Sequence, residues 1–204
     1  MKAIIQRVTE ATVTVDGNLV SSIGKGLCVL VGIGRKDAAK DADWLVKKII
    51  NLRLFDGDDG KRWDKSVKDK NYEVLCVSQF TLHTILKGNK PDFHNSMGPD
   101  EAPIFYDNFI QLMKQNYSED KIKNGVFGAM MQVHIQNDGP VTIPLESPEN
   151  LPEPKVRKYQ DCKITSRNQS SSSLASNQSC SSLNSEPAFK SDTAVETQDS
   201  AKDS

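Results

Sequence analysis

Residues 4–20 read IIQRVTEATVTVDGNLV, and this stretch decides the fold. Ile4 to Val15 is dense in β-branched residues, and Val13 and Val15 alternate with Thr12 and Thr14. Successive side chains of a strand point to opposite faces, so this alternation describes a ribbon with one apolar and one polar side. Asp16-Gly17 brings the residue types that accept the positive φ of a tight turn, which sends the chain back along Leu19-Val20 as a hairpin.

Working outward, Leu27 to Ile33 reads as a third strand. The period then changes: Ala38, Ala42, Leu45, Ile49 and Leu52 recur at helical spacing behind Asp37, a suitable N-cap. Glu73 to Val77 is the next strand and runs into Ser78. A second amphipathic helix is expected over about Pro99 to Gln115, with Ala102, Phe105, Phe109 and Leu112 on one face. After Gly125, Phe127 to Gln136 reads as a strand. The expected fold is α/β of the α+β kind: a mostly antiparallel, barrel-like β core with two main helices. Asp56-Gly57-Asp58-Asp59-Gly60 is a turn cluster, and glycine at its fifth position does not suit a calcium loop. No internal repeat, P-loop or dinucleotide fingerprint is present.

The chain has 204 residues, of which 37% are hydrophobic, and these are unevenly spread. They concentrate before Pro148, whereas the following stretch is rich in Ser, Asn and Gln and lacks the apolar area that offsets the entropy of ordering. Residues 1–148 are therefore expected to form one domain and residues 149–204 a disordered Ser-rich tail. The net charge of −1 excludes attraction to nucleic acid by bulk field, so any RNA contact must come from a local patch. Lys87, Lys90 and Lys155-Arg157-Lys158 are the candidates. Cys28 and Cys76 sit in apolar runs as small core residues, Cys162 and Cys180 lie in the tail, and no metal-like spacing occurs. With no apolar stretch of membrane-spanning length and no leader pattern, a cytoplasmic protein with a possible nuclear fraction is expected. There the sequons at Asn168 and Asn177 stay unmodified, and the Ser-rich tail meets kinases.

Two runs carry the chemistry. Ser78-Gln79-Phe80-Thr81-Leu82 closes one strand, and Asn137-Asp138-Gly139-Pro140-Val141-Thr142 closes another. Each sets backbone polar groups and a hydroxyl at the end of a β-segment. No GxSxG elbow, HExxH pair or tight His/Cys/carboxylate cluster accompanies them, so neither a serine triad nor metal catalysis is supported and no cofactor is implied. Thr81 and His83, two apart, share a face if the strand continues, and a threonine needs such a base to become a nucleophile. The alternative is a Thr81 that bonds backbone and an exposed His83. An ordinary trans turn is the default for Gly139-Pro140.

Together these runs resemble the D-aminoacyl-tRNA deacylase family, whose signatures are an SQFT run and a Gly-Pro pair inside an NxGPVT run. Gln6-Arg7-Val8, the GNKPDFH segment at Gly88 to His94, and Phe127-Gly128-Ala129 with Met131 also match, and the resemblance spans about residues 1–147. It implies hydrolysis of D-aminoacyl-tRNA and of glycyl-tRNA, with L-esters spared. It also implies a cis Gly139–Pro140 pair whose two carbonyls take the ammonium group, and an Arg7 that holds this loop. The resemblance further implies that Ser78, Gln79, Phe127, Gly128, Ala129 and Met131 shape the substrate site and that a homodimer brings the loop of one subunit to the pocket of the other. The backbone around Phe80 and Thr81 is read as the oxyanion donor, with the Thr81 hydroxyl auxiliary. A different class of function stays open: a module that binds DNA, RNA or protein through Lys155, Arg157, Lys158, Lys163 and Arg167 of the tail.

Overall fold

The computed structural model describes residues 1–151. Strand β1 (Lys2–Val15) is the spine of the sheet. It turns through Asp16-Gly17, both at positive φ, into β2 (Asn18–Ile23), and β3 (Gly26–Gly32) follows. Helix α1 (Ala39–Asn51) crosses to β4 (Glu73–Ser78), which ends in a 3-10 turn, Phe80–His83. A small hairpin of β5 (Ile85–Lys87) and β6 (Lys90–Asp92) comes next. Then come α2 (Ala102–Asn116), β7 (Ile122–Asn124) and the long β8 (Met131–Glu146).

The main sheet runs β2-β1-β3-β4-β7, with β8 on the far side of β1 and antiparallel to it along almost its whole length. β1 pairs β3 through Lys2 to Val8 and β2 through Ala11 to Val15, so it changes partner half-way and the sheet curls towards a barrel. The β1–β2, β1–β3, β1–β8 and β5–β6 pairs are antiparallel, whereas β3–β4 and β4–β7 are parallel. The mostly antiparallel α+β reading therefore holds.

Alternation along the central strands builds two cores. Leu27, Val29 and Val31 of β3 and Val74 and Cys76 of β4 face the helices, joined by Leu45, Ile49 and Phe109. Cys28 of β3 and Leu75 and Val77 of β4 face the other way, with Val8, Ala11 and Val13. Strands covered on both faces are apolar throughout, which is why β3 and β4 show no polar alternation. Each fully buried Leu, Ile or Phe here contributes about 1.5–3 kcal/mol. Cys28 and Cys76 are buried free thiols; burial pushes Cys28 up to about 12 and Cys76 higher still, so both act as small core residues.

Several sequence expectations need correction. Asp37 does not cap α1: Oδ2 accepts from the Gly34 N–H at 2.5 Å and Oδ1 pairs with the Met1 amino group at 2.6 Å. The helix starts after Ala38, whose N–H donates to Asp41 at 2.9 Å. The buried face of α2 is set by Ala102, Tyr106, Phe109, Ile110 and Met113, and Phe105 and Leu112 flank it. Phe127 to Met130 form a turn, not a strand, because Gly128 takes a φ of +75° and breaks the extended path; β8 starts at Met131. β8 also does not stop before Gly139-Pro140. It continues to Glu146, with the pair carried on a bulge where the ladder to β1 slips between Gln6 and Val8. The proposed tail lies outside the described residues, which include only its first positions.

Candidate active site

Where β4 ends, the chain leaves the sheet. The Gln79 N–H still donates to the Val31 carbonyl at 2.7 Å, after which Phe80 to His83 wind into the 3-10 turn. A cavity of about 500 Å³ lies against this exit. Its walls are the ends of β3 and β4 (Val31, Ile33, Val77), the segment Ser78–Phe80, the turn Phe127–Met130, and Met131 and Val133 at the start of β8. Met97 and Ala102 close one side. No charged side chain lines it, so it offers apolar surface, two small polar side chains and main-chain groups. Below, Phe127 packs on Tyr106 with ring centroids 5.6 Å apart, which ties the cavity floor to α2.

Thr81 stands beside this cavity without lining it. It is exposed, and its Oγ1 accepts from the Gln79 side-chain amide at 2.6 Å. An amide donor is not a base, so this bond orients the hydroxyl without activating it. His83 does not assist. In a 3-10 turn, with three residues per revolution, positions two apart point to different sides, so Thr81 and His83 share no face. Nor is His83 an exposed residue: it is half-buried, tucked against Gly32 and Gly34, and burial lowers its pKa. Phe80 is 57% exposed and meets Phe93 edge-on, centroids 5.0 Å apart. Its carbonyl accepts from the Ser96 hydroxyl at 2.9 Å.

The second run forms a separate structure. The Gly139–Pro140 peptide is cis, and both residues are exposed. Asn137 ties the bulge from within: its Oδ1 accepts from the Val141 N–H at 3.1 Å and its Nδ2 donates to Thr142 Oγ1 at 2.9 Å. Arg7 holds it from the side. Its Nη1 donates to the Leu54 carbonyl at 2.6 Å, its Nε lies 3.1 Å from the Asp138 carboxylate, and its guanidinium sits 5.6 Å from the centre of the Trp63 ring. The Nε contact is an ion pair rather than a directed hydrogen bond. A Cβ on Gly139, at φ +120°, would lie 2.8 Å from Val141 Cγ2 and 3.2 Å from Arg7 Nη2, so only glycine fits.

The structure thus gathers Ser78, Gln79, Phe80, Phe127, Gly128, Ala129 and Met131 around one cavity and Arg7, Gly139 and Pro140 at one turn; the turn is not among the cavity walls. Sequence reading missed Trp63, Asp138 and the Leu54 carbonyl as partners of Arg7. Trp63 gives no pattern signal, because its oddity is conformational: φ +58° in a bulky residue, with half its surface exposed. Among the described residues no three His, Cys, Asp or Glu side chains gather to hold a metal ion, and no helix is long and apolar enough to cross a membrane.

Comparison with known proteins gives this geometry its context. The D-Tyr-tRNA(Tyr) deacylase family matches over residues 4–146. The Drosophila melanogaster D-aminoacyl-tRNA deacylase is 63% identical over 149 residues, 73% of this chain and 94% of that protein. The Mus musculus D-aminoacyl-tRNA deacylase 1 is 58% identical over 148 residues, 72% of this chain and 71% of that one. Among solved structures, the c-Myc DNA unwinding element binding protein is 58% identical, with a TM-score of 0.71 over 72% of this chain and 99% of its own. A probable eukaryotic D-amino acid tRNA deacylase, 16% identical with a TM-score of 0.60, shares the fold. This chain belongs to the D-Tyr-tRNA(Tyr) deacylase family, and it is a hydrolase that removes the amino acid from D-aminoacyl-tRNA.

Proposed function

We propose that the cavity and the Gly139–Pro140 turn are the two halves of one chirality filter, which meet when two copies of the chain associate. The cavity takes the terminal adenosine and its ester. The main-chain oxygens of the turn, supplied by the second copy, receive the ammonium group. A turn pressed against the Cα leaves room for hydrogen on one side only, so an L-residue clashes and a D-residue enters with little regard to its side chain. Glycine has nothing to reject, and glycyl-tRNA is a substrate. What carries this reading is the separation of the two halves: a cavity with no charged side chain in its walls, and a clamped, exposed turn that lies outside those walls. Exposed Met130 and Phe80 around the cavity and exposed Trp63 beside Arg7 supply apolar surface for such an association.

An aminoacyl ester is an activated substrate, so placing a water and stabilising the oxyanion supplies most of the required rate. The backbone N–H groups around Phe80 and Thr81 take that role. The Thr81 hydroxyl positions substrate and is not a nucleophile, in keeping with its amide partner. Release of D-Tyr, Gly and L-Tyr from charged tRNA tests the filter: D-Tyr and Gly are freed and L-Tyr is retained, whereas equal loss of D and L forms defeats it.

A second reading draws on one observation, the name of the 58% identical c-Myc DNA unwinding element binding protein. DNA, RNA or protein contact then runs through Lys155, Arg157, Lys158, Lys163 and Arg167, outside the described residues. A chain ending at Pro148 separates the readings, since it keeps deacylation under the first and loses the main activity under the second.

A further inference from the structure

The β5–β6 hairpin takes no part in the site described so far, although it contains most of the GNKPDFH segment. It is a two-stranded ribbon in a sheet of its own, with residues 85 to 91 exposed throughout. A lone two-stranded ribbon is marginal in water, so something must hold it. Here Phe93 packs edge-on against Phe80, a wall of the cavity, and Ser96 bonds the Phe80 carbonyl. The ribbon is thus fixed to the lip of the catalytic cavity.

Its charges are arranged against its own stability. Lys87 and Lys90 are directly paired across the two-residue turn Gly88-Asn89, and like charges opposite one another are unfavourable. Lys87 is balanced by Asp92, which also bonds His94, whereas Lys90 has no ion pair among the described residues. Next to them Ile85 and Leu86 are 41% and 68% exposed. Two cations and the exposed Ile85 on one face of the ribbon, beside the Phe80–Phe93 pair, suit a strand that is both polyanionic and rich in flat rings. Single-stranded nucleic acid has that chemistry.

We propose that the β5–β6 hairpin docks the single-stranded 3′ end of the tRNA, with Lys90 and Lys87 on its phosphates and Ile85, which shares their face of the ribbon, and the Phe80–Phe93 pair against its bases. The inference rests on the cavity holding the terminal adenosine, with the preceding nucleotides leaving over Phe80, the wall to which the ribbon is joined. The net charge of −1 makes the local cations the available source of phosphate attraction.

Binding of uncharged tRNA by the full chain, followed by fluorescence anisotropy across a salt series, tests this. Lys90→Glu is expected to weaken binding roughly tenfold and to lower the slope of log K against log salt by about one. Lys90→Arg is expected to retain binding, as is Lys47→Glu, which makes the same change of net charge at an exposed position of α1. The proposal is overturned if the parental chain does not bind tRNA, if Lys90→Glu binds like the parent, or if Lys47→Glu weakens binding equally. Release of D-tyrosine from its adenosine ester, which carries no phosphate, is measured on the parental chain alongside. Failure of that reaction counts against the cavity reading, whereas the hairpin stands or falls on the binding data alone.

Discussion

The cavity and the Gly139–Pro140 turn are built from opposite materials. The cavity is apolar, uncharged and lined by the ends of strands whose other residues form the core. The turn is exposed and stiffened by the Arg7 guanidinium from the side and by its own Asp138 and Asn137 from within. A surface needed only to accept an adenosine and any side chain is served by shape. A surface that must discriminate hydrogen from a larger group at a single carbon needs fixed atoms, and fixed atoms outside a core need polar clamps. Under the proposed filter handedness is set at the turn, so substitutions there should lower the D-over-L preference, whereas those on the cavity side should lower the rate and leave the preference.

The largest effect is expected at Gly139. Gly139→Ala puts a methyl group within 3 Å of Val141 at a backbone angle that favours glycine, so the turn must move. Displacement of about 1 Å at such a site costs on the order of a hundredfold in D-Tyr-tRNA turnover, and the D-over-L preference should fall with it. A variant with full rate and full preference would remove the turn from the mechanism.

Arg7→Lys is next. One ammonium cannot reach the Leu54 carbonyl, the Asp138 carboxylate and the Trp63 face together. Loss of a charge-assisted bond of about 1.5–3 kcal/mol should lower Tm by several degrees and loosen the turn, so that L-Tyr-tRNA begins to be cleaved. Trp63→Ala removes only the ring beneath the guanidinium, about 0.5–1 kcal/mol, and should show the same leak more weakly. Differential scanning calorimetry and the D/L release assay measure both.

On the cavity side the signature reverses. Thr81→Ala should cost roughly tenfold or less in kcat and leave L-esters spared, because in the proposed mechanism the hydroxyl orients and does not attack. Near-complete loss with an unaltered fold would instead restore a covalent route through Thr81.

The smallest effect concerns His83, which serves packing in this account. Burial lowers its folded pKa below the 6.5 of a free imidazole, so the unfolded chain binds the proton more readily. Its contribution to stability is complete above pH 6.5 and is lost as pH falls through the window between the unfolded and folded values. His83→Gln should flatten that part of the acid limb in a pH series of urea midpoints.

How much of this was legible in the sequence depended on the kind of signal. The β1–β2 hairpin, β3, β4 and the buried stripe of α1 at Ala42, Leu45 and Ile49 were readable, because period and turn chemistry report burial directly. The buried face of α2 was only partly so. Tyr106 is 1% exposed with its hydroxyl unpaired, a placement that polarity argues against and ring packing with Phe109 and Phe127 outweighs. The β5–β6 ribbon and β7 were missed, being three residues per strand and too short to show a period. At the site, the SQFT and NxGPVT runs showed in the sequence by resemblance, and they lie at the cavity and at the clamped turn. The Arg7–Trp63–Leu54 arrangement did not show, since it joins residues about fifty positions apart through a backbone carbonyl and a ring face.

Mixing two inactive variants tests the central claim most directly. Ala129→Phe fills the cavity but leaves the turn intact, and Gly139→Ala spoils the turn but leaves the cavity. If each cavity is completed by the turn of a second copy, unfolding and refolding the two variants together should restore D-Tyr-tRNA release to roughly a quarter of the parental rate, because mixed pairs contain one site with both parts sound. A mixture no more active than its separate components would contradict the account.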